Sequence, residues 1–126
     1  MRALNPILAL ILLASSAMAE EPTPITPAEA AKKVNEMVLV QLEVKSTGGR
    51  SNHYLNSEKE FTDAKNFTVF IAKDHLELFK KAGVENPAQH YKGKVIQVSG
   101  KVVLEQQKPW IKVADPAQIK LVTQEK

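Results

Sequence analysis

Six side chains in this sequence combine cationic or amide groups with flat rings: Arg50, Asn52, Tyr54, Phe70, Lys108 and Trp110. Arg50 and Lys108 can neutralise an anion. Asn52 can donate and accept hydrogen bonds, and the three rings offer faces on which planar groups stack. Cations for a backbone and rings for bases are what a single-strand nucleic-acid platform requires. Each residue also has a plainer use. Aromatic rings mostly serve as buried area, and long charged side chains are usually solvated surface.

Catalytic constellations are not found beside them. The sequence contains no G-x-S-x-G, no phosphate-cradling Walker loop and no H-E-x-x-H, the spacings that would place a nucleophile, a phosphate nest or two zinc-binding imidazoles. His53, His75 and His90 form no H-x-H or H-x-x-x-H pair, and a zinc site needs at least three convergent ligands. Glu58, Glu60 and Asp63 crowd one polar segment, and Arg50 is the one arginine after Arg2. A barrel nuclease would need acidic metal ligands together with paired arginines. The expectation is a chain with no catalytic residues, no metal and no cofactor.

Composition narrows the class further. A formal net charge of +3 in 126 residues is far from the polycation whose affinity is mostly phosphate neutralisation. The first 19 residues, "MRALNPILALILLASSAMA", carry Arg2, an apolar run from Ile7 to Leu13 and small residues ending in Ala17-Met18-Ala19. That is the pattern of a secretory signal peptide with an A-x-A cleavage site after Ala19. The apolar run is short for a spanning helix, so an uncleaved anchor is the weaker alternative. The expected address is periplasmic or secreted, with no integral membrane segment once the leader is removed. There are no cysteines, so neither disulfides nor thiolate chemistry is available.

The elements that must position the six residues follow from the pattern. Prolines at 22, 24 and 27 make residues 20–25 an extended linker. One domain is expected over 26–123, with a short tail at 124–126. Thr26, Pro27 and Glu29 form a capping box with proline in the first turn, which predicts a helix over Thr26 to Asn35. Val38, Val40, Leu42 and Val44 then alternate with polar or solvent-facing positions, the period of a half-buried strand. "STGGRSN" turns the chain, "HYLNS" is a short second strand, and "EKEFTDAKN" is a polar loop. "FTVFIA" is a third strand with Phe67, Val69 and Ile71 on one face and Phe70 on the other. A short helix follows, with Asp74 as its cap, Gly83 as its stop and Val84 as the hydrophobic contact beyond it. Asn86-Pro87 leads into a loop. "GKVIQVSGKVVLE" is a long fourth strand with Ile96, Val98, Gly100, Val102 and Leu104 on one face. "QQKP" turns it, and "WIKVADPAQIKLV" returns, interrupted at Asp115-Pro116.

Five strands with a short helix between the third and fourth, and a helix before the first, is the order of the five-stranded Greek-key barrel called the OB-fold. Gly100 fits it, since a strand shared by two sides of a small barrel must bend where a side chain is unwelcome. "HYLNS", "GKVIQVSGKV" and "PWIKVADPAQI" also resemble exported bacterial single-domain OB-fold proteins described as nucleic-acid-binding-like, related to the anticodon-binding type of OB domain. The resemblance spans nearly all of Thr26 to Val122. It implies a ligand-binding barrel and leaves the ligand open.

On this fold, ligands lie across strands two and three between the loop joining strands one and two and the loop joining four and five. Here those loops are "STGGRSN" and "EQQKPW", which hold Arg50, Asn52, Lys108 and Trp110. Phe70 and Trp110 fall out of phase with the core, so they are expected off the barrel interior, where the N-terminal helix could still cover them. The leading expectation is a non-enzymatic binding module for single-stranded nucleic acid or another extended anionic polymer. The alternative is a periplasmic accessory module whose partner is an envelope protein or a glycan.

Overall fold

The computed structural model describes residues 23–122. The leader, the first residues of the linker and the tail at 124–126 lie outside them. In chain order the elements are α1 (Pro27–Ala30), β1 (Met37–Glu43), β2 (Ser46–Gly48), β3 (His53–Asn56), β4 (Thr68–Ile71), α2 (Leu76–Lys81), α3 (Pro87–Tyr91), β5 (Val95–Glu105), β6 (Lys108–Val113) and β7 (Ile119–Leu121). Single 3₁₀ turns at Lys73–His75 and Pro116–Gln118 precede α2 and β7. Among the described residues no helix is long and apolar enough to cross a membrane.

Neighbouring strands pair in the order β1-β5-β6-β4-β3-β2, with β7 on β5. All these pairs are antiparallel except β4 with β6. The two ends of the path are consecutive in the chain, since only Val44 and Lys45 separate β1 from β2. The sheet therefore curls back on itself. Period-2 alternation decides what faces inward: Val40, Leu42, Leu55, Val69, Ile71, Ile96, Val98, Val102, Ile111 and Val113 form one buried cluster. Phe67 and Phe79 add the largest fully buried side chains.

Seven strands stand where five were expected: Ser46–Gly48, read from the sequence as the start of the turn, is a strand continuing the first, and the interruption expected at Asp115-Pro116 divides the returning strand in two. The first breaks at Val44–Lys45, where the carbonyl of Val44 accepts from Gly93 N–H (2.8 Å) and Lys45 N–H donates to Asn56 O (2.9 Å). Its first half can then pair with β5 and its second with β3. The returning strand breaks at Asp115-Pro116. β6 and β7 both run along β5, at Val102–Glu105 and at Ile96–Val98.

The helices also depart from expectation. The capping box at Thr26 is present, with Thr26 Oγ1 accepting from Glu29 N–H (3.1 Å) and Glu29 Oε1 accepting from Thr26 N–H (3.0 Å). Yet the helix ends at Ala30 instead of Asn35. Asn35 turns to φ 72° and its N–H donates to Val102 O at 2.6 Å, so the chain leaves the helix to bond β5. Ile25, placed in the linker by sequence, is extended but bridged to Val40. α1 packs on β1, and its Ala30 is fully buried.

Between β4 and β5 lie two helices, where one was expected. Asp74 sits inside the 3₁₀ turn without making a capping bond. Gly83 (φ 93°) ends α2 with Gly83 N–H on Lys80 O and Val84 N–H on Phe79 O, the paired bonds of a Schellman motif. Asn86, read as loop, caps α3 by accepting from Gln89 N–H at 3.1 Å. Leu104 does not share the buried face assigned to it; it is 50% exposed, opposite Pro109 near the hairpin tip, past the end of the core.

Candidate functional site

The pleat of three adjacent strands sets the candidate surface. Inward residues Leu55, Val69, Ile71, Ile111 and Val113 fill the core, so Tyr54 on β3, Phe70 on β4 and Trp110 on β6 point the other way. Tyr54 lies directly across from Phe70, and Trp110 across from Thr68, two residues before Phe70 on β4. The three rings touch one another. Phe70 and Trp110 stack with centroids 5.1 Å apart and planes 25° apart. Tyr54 meets Phe70 at 5.3 Å and Trp110 at 5.8 Å in tilted and edge-on geometry. Offset and edge contacts of this kind stabilise by roughly 0.5–1.5 kcal/mol beyond buried area. All three rings are only half-buried.

Beside this cluster runs a groove of about 720 Å³. One wall is Ser46–Gly49, a second is the segment joining β3 to β4, and the third is the β5–β6 hairpin; Tyr54 and Trp110 lie along it. The hairpin is a two-residue turn at Gln106 and Gln107, both at positive φ (52° and 68°), between the paired residues Glu105 and Lys108. That is the type I′ pattern matched to strand twist, built here without the usual Asn-Gly.

The β3–β4 segment is held by a buried polar network absent from the sequence expectations. Asn56 Oδ1 accepts from Thr68 Oγ1 (2.9 Å) and from Asn66 Nδ2 (3.3 Å). Asn66 Oδ1 accepts from Glu58 N–H (3.1 Å), and Ser57 Oγ from Phe67 N–H (2.9 Å). Asn56, Ser57, Asn66 and Thr68 are all buried, and satisfied buried groups fix one arrangement of both ends of the segment. The sequence signal was slight: polar residues at strand positions that become cross-strand partners, Asn56 with Thr68.

The six sequence-selected residues do not all converge. Tyr54, Phe70 and Trp110 form the cluster. Lys108 lines the groove, and its Nζ reaches Thr62 O at 3.4 Å. Arg50 is exposed in the turn between β2 and β3. Asn52 is committed to the scaffold, with its Oδ1 accepting from Lys73 N–H at 2.9 Å. His53 faces away from the groove and is 7% exposed. Its Nδ1 accepts from Ala88 N–H at 3.1 Å, and burial lowers its pKa. Burial likewise raises the pKa of the Tyr91 phenol. Among the described residues no three His, Asp or Glu side chains are grouped to hold a metal ion.

No family model matches this chain, and no curated protein matches it. Solved structures do. Asparaginyl-tRNA synthetase from Pyrococcus horikoshii superposes with a TM-score of 0.54 at 14% identity, covering 81% of this chain and 23% of that one. OBody AM1L10, in its complex with hen egg-white lysozyme, gives 0.56 at 16% identity, covering 84% of this chain and 100% of that one. Aspartyl-tRNA synthetase from Entamoeba histolytica gives 0.50 at 13% identity, covering 82% of this chain and 21% of that one. The fold is an OB-fold. At these identities the likeness extends to the fold alone, and the chain spans under a quarter of each synthetase.

Proposed function

We propose that this chain is a non-enzymatic, exported OB-fold binding module whose ligand is single-stranded nucleic acid or another extended anionic polymer lying across β3, β4 and β6. The observation that carries the reading is the Tyr54–Phe70–Trp110 cluster, half-buried on the outward face of those strands. Bases stack on such rings with little regard to sequence, each contact contributing roughly 1–3 kcal/mol. α1 packs on β1, which leaves the cluster to the ligand. The likenesses to two tRNA synthetases, each matched over less than a quarter of its own length, support the reading at the level of the fold. Export rests on the leader pattern alone.

The cations are few. Lys59 and Lys108 line the groove and Arg50 stands in the adjoining turn, while Lys112 is paired with Glu105 at 2.6 Å. With two or three phosphates neutralised, the salt dependence on a single strand is shallow, a slope of about −1.5 to −2 on logarithmic axes. The test is a titration of residues 20–126 with short single-stranded DNA and RNA at low and moderate salt, read by the fluorescence of Trp110, the one indole. Saturable quenching that weakens with salt is the expected result. A flat response, repeated in a label-free assay with the domain folded, removes nucleic acid from consideration. The OBody complex with lysozyme favours one second reading, a protein partner, which that flat response would bring forward.

A further inference from the structure

Phe61 is 68% exposed, yet it does not stand on a loose loop. The segment carrying it is tied at its base by the Asn56–Asn66–Thr68 network. The carbonyl of Phe61 itself accepts from Asn66 Nδ2 at 3.4 Å, and the next carbonyl, Thr62 O, accepts from Lys108 Nζ. An exposed ring on a braced segment costs free energy in water and contributes nothing to the core. Phe61 lines the same groove as Tyr54 and Trp110.

Lys59, Lys108, Glu60 and Glu105 line that groove, and Glu105 is paired with Lys112. A phosphate entering it would meet carboxylates as well as ammonium groups, so the ligand's backbone is expected to run outside. A flat, neutral group with hydrogen-bond donors suits the interior better. Carboxylates accept from the exocyclic amino groups of cytosine and adenine; uracil and thymine present carbonyls at the matching positions.

We infer that the groove between Phe61 and Trp110 takes one unpaired nucleobase, stacked on Phe61, and that Glu60 makes it favour bases bearing an exocyclic amino group over thymine and uracil. The inference rests on the nucleic-acid reading above and adds to it a residue outside the three-ring cluster and a base preference.

The test compares oligo-dC, oligo-dA and oligo-dT of equal length on the wild-type chain and on Phe61→Ala, Phe61→Tyr and Glu60→Gln. Wild type is expected to bind dC or dA about tenfold more tightly than dT, within the range of one good edge contact. Phe61→Ala should lose about fivefold or more on the preferred base, from one lost stack, and Phe61→Tyr should restore it. Glu60→Gln should narrow the preference without abolishing binding. Circular dichroism spectra matching wild type would exclude misfolding as the cause, which the exposure of both side chains makes a fair control. If the wild type binds all three oligonucleotides equally, or a folded Phe61→Ala variant binds like wild type, this inference is overturned and the three-ring platform stands. If the wild type binds none of them, both readings fall.

Discussion

Gly49 makes room for Tyr54. A Cβ placed on Gly49 would lie 2.8 Å from Tyr54 Cδ1 and 1.9 Å from Asn52 O, and Gly49 adopts φ 97°. The turn between β2 and β3 thus sets the position of a ring in the candidate platform, and does so through a side chain that is missing. Gly49→Ala should destabilise the domain by about 1–3 kcal/mol from the backbone conformation alone, with the clash added. It should also change the near-ultraviolet circular dichroism of the Tyr54–Trp110 contact. Gly48, one residue earlier, has open space around its Cα and no positive φ. Gly48→Ala is the control and should be neutral or stabilising by up to about 1 kcal/mol. Equal losses from the two substitutions would contradict the argument.

Gly100 answers to packing and not to a special backbone angle. The β1–β5 register runs through it without a bulge, Val38 opposite Gly100. A Cβ there would meet Ile111 Cγ2 at 2.7 Å and Gln118 Nε2 at 3.3 Å. Gly100→Ala should therefore cost about 1–3 kcal/mol, the range for overpacking a filled core. Ile111→Leu removes the branched methyl that would collide. Combined with Gly100→Ala it should cost less than the two separate losses added together, a coupling that a double-mutant cycle by urea denaturation detects. Strict additivity would place the cause of the glycine elsewhere.

What the sequence showed and what it hid divide along physical lines. The phase of Phe70 and Trp110 was legible because a pleated strand alternates strictly and their neighbours Val69, Ile71, Ile111 and Val113 are aliphatic. The stop at Gly83 was legible because few residues other than glycine adopt that conformation cheaply. The end of α1 was not legible: it depends on the hydrogen bond from Asn35 to Val102, a partner far along the chain. The same holds for Asn52. Its amide looks free in the sequence, and only the fold brings Lys73 N–H to it. The Asn56–Asn66–Thr68 network and the groove beside Phe61 needed the β3–β4 pairing before either could be seen.

The β5–β6 turn stores strain that can be released. Gln106 and Gln107 both hold positive φ, a conformation costing roughly 1–2 kcal/mol for an ordinary residue. Asn-Gly suits the same turn. Gln106→Asn with Gln107→Gly should raise stability by about 1 kcal/mol and the melting temperature by about 4–8 °C for a domain of this size. Gln106 lines the groove, so oligonucleotide affinity measured on the same variant would show whether the native turn residues are kept for binding. An unchanged or lowered melting temperature would mean that the native turn is not strained in this way.

His53 links stability to pH with a definite sign. Its buried Nδ1 accepts the Ala88 N–H at 3.1 Å near the start of α3, which only an unprotonated Nδ1 can do. Burial lowers its pKa from 6.5 in the folded state, so below that value the unfolded chain binds more protons than the native one. Stability rises with pH wherever the unfolded state binds more protons. The contribution of His53 is therefore complete above about pH 6.5. It declines as pH falls towards and through the folded pKa, and levels off below it. Urea denaturation at intervals from pH 8 to pH 4.5 should show that decline. His53→Asn, whose Oδ1 can accept the same bond without titrating, should flatten it. NMR titration of the His53 ring should give a midpoint below 6.5, its ordinary value. A midpoint at or above 6.5 would mean that the folded protein accepts the charged ring, and the predicted acid sensitivity would then have another source.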